Sequence, residues 1–190
     1  DNELKFSDHV THIVKKANIS SYLLQKAFVK PNKELFKNLF VSYVRPILEY
    51  ASVIWCPSLI KDKARIEKVQ RRYTKTIENL GKNPYSDRLA SLNLLSLENR
   101  RILNDLVCTY NILTNRFSVD LANIFILSDT SRLRGHSMKL YHEKYRTSWR
   151  HHFLSNRVFS VWNNMDPESV DSASTATFKY KITTHLLKTQ

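Results

Sequence analysis

Apolar residues near the start of the chain recur every three or four positions, which is the spacing of one face of an α-helix. The pattern begins after Ser7 and Asp8, a polar pair typical of a helix start, and continues up to Pro31. A second, broader apolar face extends from Lys33 to Trp55. We therefore predict an amphipathic first helix followed by a helix that is buried in the core.

Pro46 lies inside the second apolar run. Proline has no backbone N–H, so it removes the hydrogen bond to the carbonyl of Ser42, and its ring crowds that carbonyl. Sharp bends in helices usually occur at such positions. We expect a kink or a break between Tyr43 and Arg45, with two helices meeting there as the alternative.

Serines and a glycine mark the limits of the next helices. Ser58 is placed to cap a third helix that reaches Leu80, and Gly81 is placed to end it in the left-handed conformation. Ser86 is expected to cap a short helix that ends at Leu92. These signals predict two further helices in the first half of the chain.

The second half of the chain is less regular. Ser96 is expected to cap a long helix, after which the apolar periodicity fades between residues 114 and 151. That stretch is predicted to be loop with one extended piece. Helical spacing returns over residues 153–164, Pro167 interrupts it, and Ser174 can cap a last helix.

Glycine is scarce, because only Gly81 and Gly135 occur among the 190 residues. Hairpin-rich proteins need glycine in their tight turns, so this scarcity favours an α-helical protein. We predict a mostly α fold, in which a multi-helix bundle over residues 1–115 precedes a less regular, partly helical C-terminal region over residues 116–190. The second region, a basic loop followed by helices, is expected to pack on the first.

The net charge suggests the class of partner, because 30 Lys and Arg residues against 17 Asp and Glu residues give a formal charge of +13. A field of this sign favours polyanions, and both nucleic acid and an anionic membrane surface qualify. No apolar stretch is long enough to span a membrane, and Cys56 and Cys108 are too few for a disulfide framework. We expect a nuclear or cytoplasmic protein with no membrane partner.

The third predicted helix concentrates positive charge on one face. Five cations follow the spacing i, i+4, i+7, i+11 and i+14, in one stripe rotated by roughly 120° from the apolar face. Asp62, Glu67 and Glu78 fall outside it. Such segregation favours a surface that follows a phosphate backbone, with an ordinary solvated face as the alternative. This basic stripe consists of Lys61, Arg65, Lys68, Arg72 and Lys75.

A second basic region interleaves cations with aromatic residues. Arg and Lys can hold phosphates while aromatic rings stack on unpaired bases. The alternative is that the aromatic residues, Tyr141, Tyr145 and Trp149, anchor the loop on the core. The cations and the histidine of this region are Arg132, Arg134, His136, Lys139, Lys144, Arg146 and Arg150.

Catalytic and metal-binding patterns are missing from the sequence. Nucleotidyl transfer needs clustered carboxylates that hold two divalent metal ions, and the aspartates here are scattered with no adjacent pair. The histidines do not combine with the cysteines at zinc-binding spacing. We therefore expect no cofactor, no metal site and no enzymatic activity of the isolated chain.

A series of short segments runs in a fixed order along most of the chain. They are VRPILEYASVIW (44–55), IEKVQRR (66–72), PYSDRL (84–89), LLSLENRR (94–101), RGHS (134–137), FLSNR (153–157) and VWN (161–163). In this order they resemble the region that follows the polymerase palm in LINE-type (Jockey-like, non-LTR) retrotransposon reverse transcriptases. Each segment alone has little specificity, and their common order makes the resemblance specific.

The resemblance implies the thumb and carboxy-terminal region of an RNA-directed DNA polymerase that lacks its catalytic palm. A thumb of this kind grips the template–primer duplex, and the region after it contributes contacts to RNA or target DNA during target-primed reverse transcription. The upstream palm and fingers would then be partners of this chain. The family's catalytic aspartates have no counterpart here.

The arginines within the segments that resemble the reverse transcriptase family are candidates for phosphate contacts, although an arginine can equally anchor a helix end. Arg45, beside Pro46, is a candidate for such a structural role, with Glu49 or Glu67 as its partner. The candidate nucleic-acid-binding residues of the whole chain are Lys61, Arg65, Lys68, Arg71, Arg72, Lys75, Arg134, His136, Lys139, Arg146 and Arg150.

Two other functions stay open beside nucleic-acid binding. The first is a domesticated helical protein-interaction scaffold, in which the basic stripe has no nucleic-acid role. The second is polymerase activity that needs the upstream palm as a separate chain, which a primer-extension assay with that palm added would reveal.

Overall fold

A computed structural model of the protein describes residues 5–28, 32–117, 124–129, 134–142, 144 and 146–190. Within these residues the regular structure is helical, apart from one isolated antiparallel bridge between Leu127 and Leu140. The mostly α, multi-helix fold is therefore confirmed. The α-helices are α1 (Ser7–Ala27), α2 (Lys33–Leu39), α3 (Arg45–Glu49), α4 (Ser52–Trp55), α5 (Ile60–Lys75), α6 (Tyr85–Leu92), α7 (Leu97–Leu113), α8 (Ser148–His151), α9 (Leu154–Asn163), α10 (Pro167–Val170) and α11 (Thr175–Lys188).

The chain divides into two compact units. The first comprises the residues up to Arg101 together with Thr189 and Gln190, and the second extends from Ile102 to Lys188. Helix α7 begins in the first unit and continues in the second. The division thus lies earlier in the chain than the boundary predicted after residue 115, which was placed where the helical pattern ends.

The core of the first unit surrounds Tyr73 of α5. The Tyr73 ring is 1% exposed and lies 4.4 Å from the Phe36 ring and 4.9 Å from the Phe40 ring, measured between centroids. Its hydroxyl donates to the Phe36 carbonyl at 3.0 Å, and burial raises the pKa of the phenol. The buried polar atom is thereby satisfied, as a well-packed core requires.

The expected break before Pro46 is present. A π-helical turn over Phe40–Val44 joins α2 to α3, and the Arg45 N–H bonds to the Phe40 carbonyl, five residues earlier. A single π-helical turn admits one extra residue, and it lets the chain reach Pro46 without the bond that proline cannot make. The chain turns again at Ala51, which has a φ of 53°, a feature that the sequence pattern did not predict.

The end of α5 differs from the prediction. The helix stops at Lys75 rather than Leu80, and the left-handed residue is Asn79, with a φ of 65°. Asparagine tolerates this conformation because its short polar side chain can bond locally. Gly81 has another role, since a Cβ atom there would lie 2.8 Å from the Lys75 carbonyl oxygen.

Two of the four predicted serine caps are confirmed. The Ser96 hydroxyl accepts from the Asn99 N–H, and the Ser174 hydroxyl accepts from the Thr177 N–H, both at 3.1 Å. The other two serine caps are wrong. Residues Leu59 and Pro84 occupy the cap positions of α5 and α6 without a side-chain hydrogen bond. Ser86 lies inside α6, where its hydroxyl donates to Asp87 instead.

The core of the second unit contains stacked aromatic rings. The Tyr110 and Phe178 rings lie 4.3 Å apart and nearly parallel, and Trp162 lies 6.1 Å from Phe178. A bidentate ion pair flanks them, in which Arg157 donates to Asp105 at 2.8 and 2.7 Å. Paired donors of this kind are the strongest arrangement that arginine and a carboxylate form.

We expect Gly81→Ala to lower the free energy of unfolding by about 1–3 kcal/mol, because the new methyl group overlaps the Lys75 carbonyl and the backbone must shift. Urea unfolding measures the change. Lys82→Ala, at the exposed neighbouring position, is the control and should unfold like the wild type. Equal stability of Gly81→Ala and wild type would show that the close approach is absent.

Candidate nucleic-acid interface

Helix α5 presents its basic stripe to solvent while its apolar face is buried. Ile66, Val69 and Tyr73 are at most 3% exposed and hold the apolar side of the helix in the core. The predicted stripe lies on a separate face, and all five of its members are exposed. They are Lys61, Arg65, Lys68, Arg72 and Lys75.

A groove lies between the basic stripe and helix α1. Its volume is about 190 Å³, and three of the stripe cations line it. We call it the α1–α5 groove. Its lining residues are Val14, Asn18, Arg65, Lys68, Val69 and Arg72.

Arg65 is held at this groove by a buried carboxylate. Asp62 has no exposed surface, accepts a 2.6 Å hydrogen bond from the Ser7 hydroxyl, and lies 3.3 Å from Arg65 Nη1. The sequence pattern placed Asp62 outside the stripe without assigning it a contact. In the structure Asp62 joins the start of α1 to α5 and engages one of the five N–H donors of Arg65.

Arg72 is held at the same groove by helix α1. Its Nη1 donates to Asn18 Oδ1 at 3.3 Å, while Asn18 Nδ2 donates to the Val14 carbonyl at 2.9 Å. Sequence analysis did not identify Asn18. The sequence offers one indication, since Asn18 lies in the first helix at the edge of the buried face that contains Ala17 and Ser21.

A larger groove, of about 670 Å³, lies on the other side of the stripe, and we call it the α5–α7 groove. It contains two carboxylates as well as cations. Lys63 pairs with Glu98 at 3.1 Å, and Glu67 accepts from the Leu97 N–H at 2.9 Å and from the Tyr85 hydroxyl. Its lining residues are Ile60, Lys63, Ala64, Glu67, Lys68, Arg71, Tyr85, Ser96 and Glu98.

Arg71 rests on an aromatic ring in the α5–α7 groove. Its guanidinium lies 4.8 Å from the centre of the Tyr85 ring, and that of Arg88 lies 5.4 Å from it. Contacts in this range are attractive because the ring face carries negative charge. Burial, followed by the charge of Glu67, raises the pKa of the Tyr85 phenol, which keeps the hydroxyl protonated as a donor. Arg71 is exposed, with its orientation set by this stack.

The second basic region is only partly available to a ligand. Arg134 and Arg146 are exposed, while Arg150 lies with its guanidinium 5.0 Å from the Phe153 ring centre. Lys139 Nζ donates to the Asn163 carbonyl at 2.9 Å. Arg132, Tyr145 and the side chain of Trp149 lie outside the described part of the structure, so the stacking arrangement predicted for this region stays a prediction.

His136 faces the protein interior rather than solvent. It is 3% exposed, and its Nε2 donates to the Trp162 carbonyl at 3.0 Å, while the Trp162 indole N–H donates to the Met138 carbonyl at 2.7 Å. Its burial rules out a direct phosphate contact in this conformation. The RGHS segment therefore uses its histidine to fasten the loop onto α9.

Several of the matched arginines form internal ion pairs. Arg45 lies 3.9 Å from Glu49, as expected, and Arg100 forms a bidentate pair with the same carboxylate at 2.8 and 2.7 Å. Glu67, the other partner considered for Arg45, is engaged at α6 and α7 instead. These contacts assign a structural role to Arg45 and leave the exposed face of α5 as the candidate interface.

Comparison with known proteins gives little functional information. No family model matches the chain, and no solved structure matches it. The chain is 28% identical, over 120 residues, to an uncharacterized protein of Caenorhabditis elegans. The match covers 62% of this chain and 61% of the nematode protein, so the chain spans about three fifths of that relative's length.

Two features are absent from the part of the chain that the structure describes. Among the residues that the structure describes, no helix is long and apolar enough to cross a membrane. In the same part of the chain, no group of three or more His, Cys, Asp and Glu side chains is arranged to hold a metal ion.

His136 predicts a pH dependence of stability. Burial lowers its pKa in the folded protein below the ordinary value of 6.5, so the unfolded chain binds the proton first as the pH falls. Its contribution is therefore complete above about pH 6.5 and is lost below it. Urea unfolding at pH 7.5 and pH 5 should show a smaller pH effect in His136→Gln than in wild type. Equal pH effects in the two proteins would contradict this assignment.

Proposed function

We propose that the chain is the non-catalytic nucleic-acid-binding portion of a retrotransposon reverse transcriptase, which grips template–primer or RNA through backbone contacts in target-primed reverse transcription. The observation that carries the proposal is the exposed basic stripe of α5, whose five cations share one side of a helix that buries its apolar face. The partners would be RNA or DNA and the upstream palm and fingers. The protein would act in the nucleus or in the cytoplasm.

The dimensions of the stripe suit a nucleic-acid backbone. From Lys61 to Lys75 the helix rises by about 21 Å, which corresponds to roughly six base-pair steps of a duplex. Cations at this spacing can neutralise successive phosphates without contacting the bases. Backbone contacts position a protein on nucleic acid and carry no direct sequence information, so we expect weak sequence preference.

The resemblance supports the same function. Two of the ordered segments, residues 44–55 and 66–72, contribute to α3, α4 and α5, and the second contains Lys68, Arg71 and Arg72. A thumb without its palm has no catalytic carboxylates of its own. The isolated chain is accordingly proposed to bind and not to polymerise, and the polymerase activity would belong to the longer parent protein.

The decisive experiment measures binding of labelled single-stranded RNA, duplex DNA and RNA–DNA hybrid across a salt series. A variant changes all five stripe residues to Ala. Wild type should show a slope of log affinity against log salt of about −4, as expected for five cation–phosphate contacts, and the variant should lose most of it.

A matched control changes five other exposed lysines to Ala, Lys16, Lys33, Lys82, Lys179 and Lys188, so that the net charge falls equally. We expect this control to keep most of the wild-type slope, because its cations come from several different elements and do not form one helical stripe. Equal losses in the two variants would mean that only net charge attracts nucleic acid. Negligible wild-type affinity near physiological salt would overturn the proposal.

The interaction-scaffold alternative is favoured by one observation, the exposed apolar residues Tyr43, Tyr50 and Ile54, which are 60%, 81% and 77% exposed. Exposed apolar groups of this kind often mark protein contacts. A scaffold would retain its protein partner after charge reversal at Arg65, Lys68 and Arg72, whereas nucleic-acid binding would be lost.

A further inference from the structure

We propose that the α1–α5 groove is a discrete site for a single phosphate group. This inference rests on the proposed function, because it states which of the stripe cations converge on one phosphate of the backbone. Arg65, Lys68 and Arg72 would contact this phosphate, while Lys61 and Lys75, which do not line the groove, would contact phosphates farther along the same backbone.

The donors of the groove point to an anion. Three cations and one amide line a space of about 190 Å³, over a floor made by Val14 and Val69. Guanidinium groups present N–H donors in a planar fork that matches phosphate oxygens, and the lysine adds a compact charge. The described lining contains no carboxylate, so nothing in it repels a phosphate.

The two grooves beside α5 differ in the charges of the residues that line them. In the α5–α7 groove, Glu98 pairs with Lys63, and Glu67 adds a second negative charge beside Arg71. An anion entering there meets two carboxylates that line the groove, whereas on the α1 side the nearby Asp62 is paired with Arg65 and Ser7 and does not line the groove. Since Lys68 lines both grooves, the asymmetry comes from their other residues, and it directs a phosphate toward α1.

The groove is also preorganised. Asp62 holds Arg65 through Nη1, and Asn18 holds Arg72 through Nη1, so both side chains have lost part of their rotational freedom before a ligand arrives. Ordering a long side chain is one of the costs of binding, and side chains ordered beforehand avoid part of it. Each guanidinium has further N–H donors beyond the one engaged here.

The test titrates inorganic phosphate into the ¹⁵N-labelled chain at constant ionic strength and follows backbone amide shifts. Asn18→Asp places a carboxylate in the groove while keeping all three cations, and Asn38→Asp makes the same change at an exposed position on α2. We expect saturable shifts at the groove in wild type and in Asn38→Asp. In Asn18→Asp the affinity for phosphate should fall by at least about tenfold, because the new carboxylate repels the phosphate.

A second variant, Arg72→Gln, removes one donor fork without adding a negative charge. It should weaken phosphate binding in the same direction, and its folding can be checked by the amide spectrum. Shifts that are equal in wild type, Asn18→Asp and Arg72→Gln would overturn the inference, as would shifts centred on another surface.

The source of the phosphate is distinguished by oligonucleotides. Inorganic phosphate should displace a labelled oligonucleotide from wild type, and an oligonucleotide with a 5′-phosphate is compared with one without it. Equal affinities assign the groove to a backbone phosphodiester, and tighter binding of the phosphorylated strand assigns it to a terminal phosphate. Failure of phosphate to compete would overturn the inference.

The two proposals can fail separately. If the five-alanine variant loses oligonucleotide binding but phosphate leaves the groove amides unchanged, the discrete site is wrong and the nucleic-acid function stands. If phosphate binds the groove but no oligonucleotide binds, the site stands as an anion site and the proposed function is wrong.

Discussion

The carboxylate of Glu67 determines how helix α5 is oriented. It accepts hydrogen bonds from the Leu97 N–H at the start of α7 and from the Tyr85 hydroxyl on α6, so it fixes the helix on two neighbours at once. Gln70, one turn later, donates to the same hydroxyl and to the Leu95 carbonyl. An apolar face alone would tolerate some rotation, whereas these directed bonds allow one orientation and leave the cations in solvent.

The same arrangement explains why α5 has two chemically different sides. The side toward α7 needs a carboxylate, because the first N–H groups of a helix lack partners and favour negative charge. At the α1–α5 groove, α5 faces the middle of α1, where backbone groups are already paired, and the neutral amide of Asn18 engages Arg72. The carboxylate that meets the start of α1, Asp62, is buried and does not line the groove. The electrostatic difference between the grooves therefore follows from which part of each neighbour packs on α5.

Much of the helical framework could be predicted from the sequence, because it depends on local patterns. The apolar spacing of α1 and α5, the caps at Ser96 and Ser174, and the break before Pro46 are all encoded within a few residues. The division near Arg101 could not be predicted this way, since α7 is continuous across it. Residue Gly81 was misinterpreted because its constraint is a close approach to the Lys75 carbonyl, which sequence spacing does not reveal.

The candidate site was predictable only in part, for a related reason. The exposure of the basic stripe follows from the amphipathic pattern of α5, but its partners come from distant positions, as with Ser7 and Asn18. His136 was grouped with neighbouring cations by charge alone, while its burial depends on Trp162 in a helix 26 residues later. Residue type and spacing identify where charge is available, and tertiary contacts decide which charges remain free to bind.

The side chain of Asn163 takes the place of a neighbouring β-strand. Its Oδ1 accepts from the Leu140 N–H and its Nδ2 donates to the Leu140 carbonyl, both at 2.9 Å. Both backbone groups of Leu140 are thereby occupied within the same unit. An extended segment with unpaired backbone is a template on which other chains can assemble edge to edge. Because one amide occupies both backbone groups, the extended piece offers no unpaired backbone at Leu140 on which a foreign strand could assemble.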